Sequence, residues 1–437
     1  PSRGPKIEGQ TVTNWNNDQE KLTWYDNVGN FFNTGINATE NISFAQQYGK
    51  TQVYTSVTRM DDASKIPGAK LNRTNLMMRA TSTFGKDDRW GIDAKVQYIN
   101  STATNRPISG ARSDNYFYTM FSMPSTVDIS QFEDCTDPAT GKMRWWQKDS
   151  GLNPYWAKDY STNQDSRNRF LLNGSLTYKF TDWLRGEIKA GSDMYNTETT
   201  TKLYAGSPLS TNGRYSYGIQ KFYENNYSFM FTAQKDQVID KIGGTVTFGG
   251  NLMQRKSTGL KNSLGTLIVP DWFWMSNGDK GDLSVEQTLN EKKINSLYGT
   301  IGLNYDGWVF LDATFRNDWS SSLSKKNRSF FYPSISASWV FSDMFNKMEK
   351  PLPDWFTYGK VRVSFAEVGN DMDPYQLYNS YKIGSEGNTG GVNAGYSSST
   401  LYNTDVRSEL IKSWEAGAEI RFLNNRLGLD VTWYKSN

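Results

Sequence analysis

Aromatic residues cluster at three places in the chain, in segments without a regular apolar period. The clusters are Trp145-Trp146, Tyr155-Trp156 and Trp272-Phe273-Trp274, with Arg144, Lys148, Lys158 and Asp271 close by in sequence. Flat aromatic faces suit the C–H surfaces of sugars, and neighbouring polar groups orient hydroxyls. We therefore treat five tryptophans as candidate ligand-binding residues: Trp145, Trp146, Trp156, Trp272 and Trp274. The competing interpretation is packing, because large loops need small cores of their own.

Residues for other chemistry are scarce. The 437 residues include no His and one Cys, Cys135. Ser–His–Asp catalysis is therefore excluded, and a single thiol cannot form an intrachain disulfide. We expect no catalytic residue, no metal site and no cofactor, and hence no enzyme. The balance of 48 basic against 45 acidic residues also argues against nucleic acid as a partner.

Long two-faced strands must position these loops. In 90–98, for example, Trp90, Ile92 and Val96 alternate with Asp93 and Lys95, so one face is apolar and the other is wet. About fourteen segments show such a pattern, two of them weakly. They are 44–48, 51–59, 74–84, 90–98, 168–180, 183–195, 225–234, 242–254, 295–305, 308–318, 334–341, 358–368, 414–422 and 427–433.

The connections between these strands alternate in length. Short turns are predicted at Gly85–Asp88, Thr181–Asp182, Asp306–Gly307 and Leu423–Asn425, and long loops at 101–167, 196–224, 255–294 and 369–412. A barrel that crosses a bilayer has short turns on one side, long loops on the other, and strands of about 9–11 residues through the hydrocarbon. We therefore predict an all-β fold, a transmembrane antiparallel β-barrel. The alternative, a water-soluble propeller or sandwich, has strands of only about five or six residues.

Composition fits the same fold. No apolar run approaches the roughly 18 residues that a membrane helix needs. Aromatic residues make up 14% of the chain, and Phe84, Trp90, Phe180, Trp183, Tyr305 and Trp308 flank the short turns. Membrane barrels place such residues in interfacial girdles.

Several motifs carry a resemblance to one family. Gly4-Pro5-Lys6-Ile7-Glu8-Gly9-Gln10 and Asn27-Val28-Gly29-Asn30-Phe31-Phe32-Asn33-Thr34-Gly35 resemble the "GPKxDGQ" and "NVxDFFxTG" segments of SusC/RagA-type TonB-dependent transporters. Further matches follow in order at 332–339, at 360–364 with Gly369-Asn370, and at 412–415. Two departures are Asn30, where the family usually has Asp, and Ala366-Glu367, where Tyr-Gly is more usual.

The resemblance implies a 22-stranded barrel of the Gram-negative outer membrane that actively imports a nutrient. It implies oligosaccharide as the typical substrate, peptide for some members, a SusD-like surface lipoprotein as a lid, and the TonB complex acting through a plug domain. On this basis we expect residues 1–43 to be the plug-to-barrel junction and 44–437 a partial barrel surrounded by outer-membrane lipid. The chain would then be a fragment without the plug and without about four C-terminal hairpins.

Two other functional classes stay open at this point. A passive porin, or a surface-binding barrel such as an adhesin, would share the strand pattern but not the plug. A barrel enzyme would need a catalytic constellation, and we find none in the sequence.

Overall fold

A computed structural model shows one large antiparallel sheet of 14 strands. The structure describes residues 4–108, 115–147, 151–387, 393–397 and 400–437. The order of strands in the sheet follows the chain, so that each strand pairs with its predecessor and its successor. This confirms the predicted all-β class and the number of strands. The first and last strands of the sheet are its two edges, and they do not pair with each other in the part of the chain that is described.

The large sheet contains strands β3–β14, β17 and β18. Their bounds are β3 Ile36–Tyr48, β4 Thr51–Ala63, β5 Lys70–Phe84, β6 Trp90–Thr104, β7 Ser161–Lys179, β8 Leu184–Leu203, β9 Arg214–Ile239, β10 Ile242–Leu264, β11 Leu283–Tyr305, β12 Val309–Ser320, β13 Ser329–Trp339, β14 Phe356–Asn370, β17 Glu409–Phe422 and β18 Leu427–Ser436.

The remaining elements are short. Two small hairpins are formed by β1 Thr11–Thr13 with β2 Gln19–Lys21, and by β15 Tyr381–Gly387 with β16 Asn393–Ser397. The α-helices are α1 Asn27–Phe31, α2 Tyr116–Ser122, α3 Pro154–Tyr160 and α4 Phe341–Lys347, and 3₁₀ turns lie at Lys86–Asp88, Ile129–Phe132 and Lys280–Asp282. Within the described residues, no helix has both the length and the apolar character needed to span a membrane.

The two ends of the sheet differ as predicted. At the short-turn side the chain reverses within a few residues, with left-handed backbone at Asp306 (φ 51°) and Gly307 (φ 72°) between β11 and β12. The opposite, long-loop side carries 105–160, 204–213, 265–282 and 371–408. The three longest of these connections, 105–160, 265–282 and 371–408, thus share one side, which is the asymmetry of an outer-membrane barrel. The exception on the short-turn side is the connection 340–355, which contains α4.

The apolar face of the sheet has no second layer over it. Ile188, Phe229, Val246 and Val363 all point outward and are exposed, Val363 by 49%. A soluble protein would cover such rows, because contiguous exposed apolar area is rare on soluble monomers. The exposed rows therefore form the lipid-facing belt.

Aromatic rings border this belt at the short-turn side. Phe84 stacks on Trp90 at 6.2 Å between centroids, Trp90 lies 4.5 Å from Tyr178, and Tyr178 lies 5.0 Å from Phe180. Neighbouring hairpins thus share one continuous aromatic band. Such a band belongs at the headgroup level of a membrane.

Glycines on the apolar face make room for these large rings. A Cβ on Gly250 would lie 2.7 Å from Cε1 of Phe229, and one on Gly186 would lie 3.1 Å from Cε1 of Phe231. Each ring lies over its neighbour's bare backbone, as in the aromatic rescue of strand glycines. The absence of a side chain here is therefore a packing requirement.

Several strands are longer than predicted. β9, β10 and β11 have 26, 23 and 23 residues, so much of the ranges 196–224 and 255–294 is strand rather than loop. Beyond the membrane both faces of a ladder meet water, and the alternation of apolar and polar residues disappears while the backbone pairing continues. Strand length predicted from the alternation of apolar and polar residues therefore stops where the strand leaves the lipid.

The N-terminal segment lies on the long-loop side. The backbone N–H of Tyr25 donates to the carbonyl of Ser125 at 2.8 Å, and that of Asn33 donates to the carbonyl of Lys65 at 2.8 Å. The first strand of the large sheet then begins at Ile36. The assignment of 1–43 to a plug-to-barrel junction stays a prediction.

The two faces of β14 predict opposite responses to a charge. We expect Val363→Arg to destabilise the folded protein by about 2–4 kcal/mol, because the cation would face hydrocarbon at mid-strand. Ser364→Arg should cost little, because Ser364 lies on the polar face opposite Glu415. Reversible urea unfolding in phospholipid vesicles measures both, and equal tolerance of the two substitutions would contradict the facing.

Candidate functional site

Paired charges line the polar face of the sheet. Arg79 donates two hydrogen bonds to the carboxylate of Asp93 on the neighbouring strand, at 2.9 and 2.6 Å. Arg169 donates two to the carboxylate of Asp193 in the same way, at 2.8 and 2.6 Å. Such forked pairs are the strongest class of charge-assisted hydrogen bond. Several acids and bases of the polar face are therefore paired with each other across neighbouring strands.

Trp145 and Trp146 lie in a small core on the long-loop side. Trp145 is buried, and its ring packs edge-on against Phe132 at 4.8 Å. Trp146 is partly buried against the same cluster, 6.2 Å from Trp145. Phe31 joins this core from the N-terminal segment. The structure thus places both tryptophans where packing, rather than an open surface, surrounds them.

One asparagine joins the N-terminal segment to this core. The side chain of Asn27 donates to the carbonyl of Val127 at 2.8 Å and accepts from the backbone N–H of Ile129 at 2.9 Å. Its burial is tolerated because both ends of the amide are bonded. The loop 105–160 and the N-terminal segment therefore form one folded unit.

Trp156 belongs to a second buried cluster. It lies on α3, stacks on Tyr160 at 4.3 Å, and is packed with Leu152 and Cys135. Asn153 begins α3 by accepting from the backbone N–H of Tyr155, and its amide donates to the carbonyls of Phe132 and Arg144. As placed, Trp156 presents no open face to a ligand.

The other two candidate tryptophans are at an exposed tip in the loop 265–282. Trp272 and Trp274 are 59% and 63% exposed, whereas Phe273 between them turns inward onto Tyr204 at 4.7 Å. Buried Asn277 holds the tip, because it donates to the carbonyls of Val269 and Trp272 at 2.7 Å each. The tip presents two indole rings on a fixed backbone.

The five tryptophans therefore do not form one surface. Ring contacts connect the buried cluster of Trp156 to the exposed tip: the Tyr160 ring lies 5.4 Å from the Tyr204 ring, and Tyr204 contacts Phe273. Of the predicted polar neighbours, Asp271 accepts a bond from the backbone N–H of Ala205 at 2.7 Å, and Lys148 lies outside the described residues. Ligand binding by any of the five tryptophans stays a prediction.

A buried ion pair was missed by sequence reasoning. Lys292 of β11 donates to Asp371 at 2.5 Å and to the carbonyl of Met372 at 3.2 Å. Ser320 and Ser322 also donate to the Asp371 carboxylate. This cluster fixes the start of the loop 371–408 onto the wall. Its partners are up to 80 positions apart in the chain, and no local pattern marks them.

Comparison with known sequences is consistent with this architecture. The model of the family described as TonB dependent receptor-like, beta-barrel, matches residues 131–437. TonB-dependent receptor P3 of Formosa agariphila is 22% identical over 94% of this chain, and TonB-dependent receptor P26 of the same organism is 24% identical over 64%. The chain spans 40% and 29% of the length of these two relatives.

Solved structures share the fold. The RagAB peptide transporter superposes with a TM-score of 0.78 at 19% identity, over 94% of this chain and 45% of that chain. The ferric-catecholate import receptor Fiu of E. coli K12 superposes with a TM-score of 0.53 at 11% identity, over 94% of this chain and 58% of that one. At these identities the likeness concerns the fold.

Cys135 should report on the second buried cluster. Burial, and then the nearby Asp159 carboxylate, raise the pKa of the thiol. The thiolate is the reactive form, so we expect iodoacetamide to label the folded protein at pH 8 much more slowly than the unfolded protein.

The same shift sets a pH dependence. Because the folded pKa is raised, the neutral thiol stabilises the cluster at neutral pH, and that contribution is lost as the pH rises through the unfolded and then the folded pKa. Labelling of the folded protein should therefore accelerate above about pH 9. Labelling at the unfolded rate at pH 8 would contradict the burial, and Cys135→Ser gives the blank.

Removal of the buried ion pair of loop 371–408 should destabilise the loop more than removal of its exposed ion pair. Lys292 and Asp371 have side chains only 12% and 6% exposed, whereas Lys326 and Asp405 are 71% and 56% exposed. Asp371→Ala should cost about 3–5 kcal/mol of loop stability because it leaves Lys292 buried and unpaired, whereas Asp405→Ala should cost far less because water screens an exposed pair. Tryptic cleavage at Arg407 measures both, and equal cleavage rates would contradict the anchoring role.

Proposed function

This chain belongs to the TonB-dependent receptor-like β-barrel family, and from that premise we propose that it forms part of the barrel of an active importer. The family consists of outer-membrane receptors and transporters rather than enzymes. In our proposal, a nutrient crosses the outer membrane of a Gram-negative bacterium through this barrel, with energy supplied by the TonB complex through a plug domain. Residues 1–43 would lead into the barrel, and 44–437 would form part of its wall.

One observation carries the proposal. The same sheet has an exposed apolar face, with residues such as Ile188 and Val363, and a polar face crossed by ion pairs such as Arg79–Asp93. A wall with lipid on one side and water on the other encloses a passage. A passive porin or a surface-binding barrel would have the same wall, and family membership favours the importer over both.

Oligosaccharide is the first substrate class of this proposal, and peptide is the second. The exposed indoles of Trp272 and Trp274 support the first, because they are the flat faces on which sugar rings pack. The fold likeness to the RagAB peptide transporter is the reason to retain peptide as the second class.

A SusD-like surface lipoprotein is the partner that the tip suits. Ile268 and Val269 are exposed beside Trp272 and Trp274, so the tip is an apolar patch at the long-loop side. Patches of this kind mark interaction sites. Asn277 keeps its backbone rigid, which lowers the entropy lost on docking.

Uptake by whole cells tests the proposal. We expect cells that express the full-length receptor to accumulate a labelled oligosaccharide from their growth medium, and cells without the receptor to lose that uptake. A protonophore should abolish accumulation, because active import draws on the proton-motive force. Uptake that continues unchanged with the protonophore would contradict active import and favour a passive porin.

Substitution of the two exposed tryptophans of the tip should weaken binding of the lipoprotein partner. Trp272→Ser with Trp274→Ser should reduce co-purification of the lid lipoprotein at least tenfold, because exposed tryptophans at interfaces commonly contribute about 2 kcal/mol or more. Trp355→Ser is the matched control, since Trp355 is 55% exposed but lies just before β14 at the short-turn side. Unchanged co-purification in the double variant would remove the tip from the interface.

A further inference from the structure

Three side chains on the polar face form a stack above the membrane belt. The guanidinium carbon of Arg167 lies 4.5 Å from the ring centroid of Tyr195. The Tyr195 ring is parallel to that of Phe222 within 13°, at 4.6 Å. Arg167 is itself held by a 2.9 Å bond to the hydroxyl of Thr197. The Phe222 ring is therefore supported from one side and fixed in orientation.

A polar pocket begins next to that ring. Across the sheet Phe222 pairs with Ser257, and Ser257 pairs with Asn290. Both line a cavity of about 380 Å³ between β10, β11 and the segment that follows β14. The cavity is also lined by Arg255, Lys292, Asp373 and Gln376. Its volume is in the range of small-ligand pockets.

The charges around this pocket are largely compensated. Arg255 donates to Glu224 at 2.7 Å, and Lys292 is bound to Asp371. The exposed carboxylate of Asp373 remains at the rim. An anionic ligand would have to break an ion pair and approach a like charge. A ligand without charge meets the amides of Asn290 and Gln376 and the hydroxyl of Ser257, which accepts a bond of 3.4 Å from Gln220 and can still donate one.

Together, these observations specify a ligand chemistry. A supported aromatic face beside amide and hydroxyl groups matches a ring that is apolar on one face and hydroxylated at its edge. We propose that Phe222 and the pocket over Ser257 and Asn290 form a binding subsite for a neutral sugar ring, with Arg167 and Tyr195 as positioning residues behind it. The assignment rests on the proposed import function and adds to it a location in the wall and a selection against anionic substrates.

Calorimetry on the purified full-length receptor in detergent tests the subsite. The probes are neutral hexasaccharides of glucose, mannose and xylose, a hexagalacturonate and an uncharged hexapeptide. We expect a neutral hexasaccharide to bind and the hexagalacturonate to bind at least tenfold more weakly. Phe222→Ala should raise the dissociation constant of the neutral ligand about tenfold, and Phe222→Trp should restore it.

Phe310→Ala is the matched control, because Phe310 is on the same face of the sheet near the short-turn side, opposite Ser338. Its affinity should equal that of the unmodified protein. Equal affinities of Phe222→Ala and Phe310→Ala would overturn the subsite, as would binding of only the hexagalacturonate or the peptide, or no binding of any hexasaccharide.

The binding assay is independent of transport. It needs neither TonB nor a proton-motive force, so a passive uptake result would refute the importer while a Phe222-dependent affinity would still support the subsite. Loss of the Phe222 effect in a receptor that still imports actively would refute the subsite alone.

Discussion

The pairing of backbone amides in the absence of water is the constraint on which this structure depends. Within hydrocarbon every N–H and C=O needs a protein partner, and here each strand finds its partners on both adjacent strands except at the two edges. Once the ladder is antiparallel and continuous, side chains must alternate between lipid and lumen. The exposed apolar face and the ion-paired polar face are both consequences of that pairing.

The parts of the fold that follow from local chemistry could be predicted. The Asp306–Gly307 turn needs left-handed backbone, and the facing of Val363 needs only the period of two. The half of β10 nearer the long-loop side could not be predicted. Arg255 and Lys256 are neighbours, so both faces of the strand carry charge there. The alternation of apolar and polar residues disappears where both faces of a strand meet water. The Lys292–Asp371 pair depends on contacts across 79 positions, which no single sequence shows.

The candidate site divides in the same way. Trp145, Trp156 and Trp272 share a residue type and a loop setting, yet two are buried in clusters and the third is exposed. Nothing in the neighbouring residues separates these outcomes, because a loop that must fold uses the same rings as a loop that binds. Tyr195 and Phe222 gave no sequence signal, since only the pairing of β8 with β9 brings them together.

The long strands also set the height of the long-loop side. Of the 23 residues of β10, about 11 cross the hydrocarbon. The remaining dozen, at about 3.4 Å each and a tilt of about 40°, raise the rim by roughly 30 Å. That height is comparable with the diameter of a domain of about 100 residues. A soluble macromolecule can therefore settle on the rim without disturbing the headgroups below.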